Sequence, residues 1–115
     1  MDGGARRWWT AAAVVALLAH LGALYWPVVT VAGPVSRTDK VVHVLLFAVP
    51  TYLVGRLVAR PRWVVLGFAV HSIISELSQH LFLTGRSGDP WDVVADVAGV
   101  ALAALALVVG SHPRR

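Results

Sequence analysis

Four of the chain's six acidic side chains, Asp39, Glu76, Asp92 and Asp96, stand inside or at the edge of long apolar runs. A carboxylate in such a place has to be paired, protonated or wetted. Lys40, His43, Gln79 and Arg86 share those runs or lie just beyond them. A carboxylate beside an imidazole is the material of proton transfer, and arginine holds carboxylate or phosphate through two parallel bonds. Asp92, Asp96, Gly99 and Ala103 fall within about 60° on a helical wheel, giving a stripe that is acidic at one end and small-sided below. Gly99 and Ala103 make a small-xxx-small pair, which lets another helix approach closely. Ser72, Glu76, Gln79 and His80 project over an arc of about 100°, and His43 lies one turn below Asp39.

Other chemistries are poorly matched. His43, Glu76, Asp92 and Asp96 are of metal-ligand type, but no H-E-x-x-H or comparable spacing joins them, so no metal and no cofactor is expected. The chain has no cysteine, which removes disulfides, thiolate sites and cysteine nucleophiles. Ser72, Ser75 and Ser87 have no nucleophile-elbow motif around them.

The elements that must position these groups are transmembrane helices. Of 115 residues 57% are hydrophobic and 14% charged, with a mean hydropathy of +0.71, which is outside the range of an ordinary soluble domain. The net charge of +4 is spread between apolar runs and forms no basic stripe, so nucleic acid is not an expected partner and anionic lipid is. A hydrocarbon core about 30 Å thick needs roughly 20 helical residues. Segments at about 8–26, 38–59, 62–83 and 91–110 meet that length, and residues 1–115 form one all-α membrane domain. Pro27 stops the first span, Pro61 bounds the hairpin between the second and third, and Pro50 kinks the second. The uncharged run at 97–110 would reach only about 21 Å, so the fourth span has to include Asp96. Glu76 lies roughly 20 Å along the third from Trp63, inside the hydrocarbon zone.

Basic residues set the expected orientation. Arg6, Arg7, Arg56, Arg60, Arg62, Arg114 and Arg115 lie at one end of this arrangement, and Arg37, Lys40 and Arg86 at the other. This places both termini in the cytoplasm and the acidic ends of the second and fourth helices outside. The first helix is expected to remain as an anchor, because its apolar run is long for a signal peptide and no small-x-small site follows. Simpler roles compete at several positions. Ser36 to Asp39 fits a capping pattern, as does Asp89-Pro90-Trp91-Asp92. Lys40 and Arg56 suit snorkelling to the two interfaces. His20 and His71 have no charged neighbour at helical spacing and suit a core hydrogen bond. Glu76 and Arg86 form a natural ion pair.

Read in order, Asp39-Lys40-x-x-His43, Glu76-x-x-Gln79, Arg86-Ser87, Asp92 and Gly99 resemble the VanZ-like family over about residues 36–103. The resemblance implies a small multi-pass protein of the bacterial plasma membrane, associated with resistance to the glycopeptide teicoplanin. Asp96 stands where the family pattern suggests asparagine, and Ala103 where it suggests glycine. Three functions follow as expectations. The first is an envelope protein that binds a lipid headgroup, a lipid-linked cell-wall precursor or a glycopeptide, with Lys40 and Arg86 holding anionic groups. The second is a membrane hydrolase or transferase, with Glu76 or Asp96 as general base and His43 as acid or base. The third is a subunit of a larger assembly or an oligomer.

Overall fold

The computed structural model is all-α, with four helices in chain order: α1 (Gly3–Tyr25), α2 (Arg37–Leu57), α3 (Pro61–Phe82) and α4 (Pro90–Ser111). It describes residues 2–25, 37–82 and 90–111, without the side chains of 37–39, 79, 80, 82, 90 and 111. α1 starts at Gly3, well before the apolar run expected from residue 8. The reason is Asp2, whose Oδ1 accepts from Ala5 N at 2.7 Å while its carbonyl accepts from Arg6 N at 2.9 Å. It thereby caps a helix that would otherwise begin with two glycines. α2 ends at Leu57 rather than 59, and Pro61 opens α3 at the one helical position that needs no N–H.

Among the described residues, three helical stretches are long and apolar enough to cross a membrane: α1, Lys40–Leu57 of α2 and Trp91–Gly110 of α4. The expected fourth, α3, has the length at 22 residues but is not among these stretches. Ser72, Ser75, Glu76, Ser78, Gln79 and His80 all fall in its second half.

The bundle is built inside out relative to a water-soluble protein. Leu18, Leu45, Leu66 and Leu105 are each more than half exposed, whereas His20, Thr51, Ser72, Ser75 and Asp96 are almost wholly buried. The apolar core is small, comprising Leu24, Phe47 and Val100 with Val65, Phe68 and Ala69 packed around them. In water that distribution would be unfavourable. In lipid it is the expected one, since tails accept leucine and reject polar groups.

α2 is the central helix and touches the other three, α4 most extensively, while α1 meets α2 and α3. Up-and-down order makes α2 and α4 parallel, and their pairing confirms it: Lys40 meets Asp92, His43 meets Asp96, and Gly55 meets Leu107. α1 and α2 are antiparallel. Arg6 Nη2 donates at 3.0 Å to Leu57 O, one of the carbonyls left open at the end of α2. Arg56 lies 4.6 Å over the Trp9 ring and donates to Tyr52 Oη at 3.1 Å. Its head therefore sits on an aromatic seat at the basic end, where snorkelling alone was expected.

Pro50 explains His20. A proline inside α2 has no N–H for the carbonyl four residues back, which is Leu46 O. His20 Nδ1 donates to that oxygen at 2.6 Å from α1. The expected core hydrogen bond is thus present, with a specific partner. His20→Phe keeps an aromatic ring against Phe47, 4.7 Å away centroid to centroid, but leaves the carbonyl unsatisfied. A loss of about 1–3 kcal/mol is expected in thermal melts. In a Pro50→Ala background, where residue 50 supplies the missing N–H, the same substitution should cost much less.

Candidate functional site

Lys40 and His43 are one turn apart near the start of α2, and Asp92 and Asp96 are one turn apart near the start of α4. Because the two helices run parallel, these turns meet rung by rung. Lys40 Nζ donates to Asp92 Oδ1. One turn below, His43 Nδ1 donates to Asp96 Oδ1 at 2.7 Å, and its Nε2 lies 3.5 Å from Asp92 Oδ2. Acid and base therefore alternate as Lys40, Asp92, His43 and Asp96. Side-chain exposure falls along the same path, 30%, 12%, 9% and 0%. The chain leads from a part-exposed ammonium group at the bundle end to a carboxylate sealed inside it.

Gly99 makes this approach possible. A Cβ built on it would sit 2.2 Å from Val44 O and 3.1 Å from Ala48 N, so the backbones of α4 and α2 are in direct contact there. Ala103, one turn on, is 3% exposed and continues the small-sided seam. Asp96 Oδ2 is buried with no hydrogen-bond partner among the described residues. A carboxylate accepts through both oxygens, so the second one remains available to water or to a ligand group.

The structure adds two contacts to the local reading. His43, one turn below Asp39 on α2, meets Asp96 and Asp92 across the interface. Lys40, expected to snorkel or to hold an anion, meets Asp92. Periodicity within one helix cannot disclose either contact, because both depend on the parallel register of α2 and α4. Glu76 is buried on α3, 7% exposed. Arg86 and the side chains of Asp39 and Gln79 lie outside the described residues, as do the expected Glu76–Arg86 pair and the cap at 36–39.

Ser72 Oγ donates to Ala69 O at 2.7 Å, and Ser75 Oγ donates to Ser72 O at 3.0 Å. Both hydroxyls are thus turned back on their own helix, away from any role as nucleophile. Among the described residues no three His, Asp or Glu side chains come together as a metal-holding group.

No protein-family model, curated protein or solved structure matches the chain. What the geometry defines is an all-α bundle with three helices apolar enough to span a membrane and a buried acid and histidine chain between two of them.

Proposed function

We propose that this chain is a VanZ-like, multi-pass membrane protein of the bacterial cell envelope, which binds a lipid headgroup, a lipid-linked cell-wall precursor or a glycopeptide at the Lys40 end of α2 and α4. All four helices cross the bilayer. α3 does so with Ser72, Ser75 and Glu76 turned inward and Ile73, Ile74, Leu77 and Leu81 turned to lipid, each of the latter more than half exposed. Arg6, Arg56, Arg60 and Arg62 mark the cytoplasmic end, and the Lys40–Asp92 end faces out. One observation carries the binding role: a graded chain of four ionisable groups runs from part-exposed Lys40 to buried Asp96. Intramembrane acids of this kind are rare outside functional sites.

Expressed in a teicoplanin-susceptible bacterium, the native chain is expected to raise tolerance. Glu76→Ala, Arg86→Ala and Asp92→Ala should each abolish the gain with protein levels unchanged in the membrane fraction. Unchanged tolerance in all three would end this reading. A topology tag reporting external termini would overturn the placement of the site.

The His43–Asp96 bond also favours a second reading, a hydrolase or transferase of lipid-linked substrates, because a carboxylate that orients an imidazole is the usual support of a general base. Against it, the other His43 nitrogen faces Asp92 and not an open cleft. Turnover of a lipid-linked phosphate or ester by the purified chain, lost in His43→Ala, would make this the better account.

A further inference from the structure

A second polar feature lies where α1, α2 and α3 meet. α1 and α3 part to leave a groove of about 330 Å³, walled by Leu17, Leu21 and Val64, floored by Gly67, and closed by His20 and His71. A Cβ on Gly67 would meet nothing within 4 Å, so the floor is open space. The two imidazoles stand 5.1 Å apart, centroid to centroid. Nε2 of each is buried with no hydrogen-bond partner among the described residues, and His20 is only 1% exposed. A buried polar atom left in this state calls for a partner.

The chemistry of that partner can be read from the rings. His20 donates its Nδ1 hydrogen to Leu46 O, so in the neutral ring Nε2 is a lone-pair acceptor. The missing group must therefore donate, and a carbonyl does not. His71 lines the same groove, and its own Nε2 has no partner among the described residues. A hydroxyl both donates and accepts, so it can satisfy His20 Nε2 and still accept from a second group. The location narrows the class further. His71 is ten residues beyond Pro61, about 15 Å up α3 and so near the midplane of a hydrocarbon core about 30 Å thick. Phosphate and zwitterionic headgroups are too costly to bring to that depth, whereas one hydroxyl on an apolar tail is not.

We propose that the α1–α3 groove is a binding site for a long-chain lipid alcohol, with its hydroxyl between His20 and His71 and its tail along Leu17, Leu21 and Val64. The proposal rests on the reading that α3 crosses the bilayer, but not on what the α2–α4 chain binds. It can be tested on the purified full chain in detergent, photolabelled with a hexadecanol carrying a diazirine beside the hydroxyl and, in parallel, with the methyl ether of the same probe. The alcohol is expected to label α1 and α3 at the groove about fivefold more strongly than the ether, which cannot donate. His71→Phe should bring alcohol labelling down to the ether's level. Equal labelling of the native chain by alcohol and ether, or labelling spread over all the exposed apolar faces, would overturn the proposal. The comparison of probes uses only the native chain, so it decides the matter even if the variant folds poorly.

Discussion

Asp96→Ala is expected to lower the stability of the bundle by about 2–4 kcal/mol, from a lost buried hydrogen bond and the cavity left behind. The carboxylate is wholly buried and holds His43 Nδ1 at 2.7 Å. Its loss strands an imidazole that is itself only 9% exposed, leaves a small cavity and breaks the α2–α4 chain at its inner end. Asp96→Asn separates charge from hydrogen bonding, because the amide oxygen still accepts from His43 while the negative charge is gone. It should retain most of the stability. If binding at the Lys40 end requires the acid, the same variant should lose function while melting almost normally. A double-mutant cycle with His43→Ala in thermal melts would measure the coupling, expected to be about 1–3 kcal/mol. Additive losses from the two single variants would mean that the pair contributes nothing beyond its separate packing.

The legible part of this molecule followed from lengths and prolines. Pro61 placed the start of α3, the capping pattern Asp89-Pro90-Trp91-Asp92 placed the start of α4, and the shortness of the uncharged run after Asp96 required that acid to lie within a helix. The stripe of Asp92, Asp96, Gly99 and Ala103 was also readable, because all four lie on one helix and the 3.6-residue period orders them. Cross-helix partners were not readable. His43 has Asp39 one turn away in sequence, and only the parallel register of α2 and α4 makes Asp96 and Asp92 its described partners. Two signals were present but are easily passed over. Asp2 stands before two glycines, where no apolar pattern suggests a helix, yet it caps one. Pro50 inside an apolar helix implies an orphan carbonyl four residues back, and a histidine on a neighbouring helix is a natural donor to it. On α3, Ser72, Ser75 and Glu76 are buried in the bundle while Ile73, Ile74 and Leu77 are exposed, a segregation that a helical period orders but whose inward face only the packing reveals.

The second large effect is expected from the smallest change. Gly99→Ala adds one methyl group, but the atoms it would meet are Val44 O at 2.2 Å, Val44 C at 3.0 Å and Ala48 N at 3.1 Å, all backbone. No rotamer change relieves a clash with backbone, so α2 and α4 must separate by about 1 Å before ordinary contact distances return. Overpacking of this kind costs about 1–3 kcal/mol. The loss should not stop at packing, because the same interface carries His43–Asp96 one turn above Gly99 and Lys40–Asp92 one turn further. A shift of about 1 Å stretches a 2.7 Å hydrogen bond past the useful range. In a Gly99→Ala background, Asp96→Ala and His43→Ala should therefore show little of the coupling expected in the native chain. Gly55→Ala provides the contrast. Its Cβ would lie 2.6 Å from Leu107 Cδ1, the far end of a flexible side chain that can turn aside. It should melt within about 1 kcal/mol of the native chain and leave the coupling between His43 and Asp96 intact. If both glycine variants proved equally mild, the close seam between α2 and α4 would not be what holds the acid and histidine chain together.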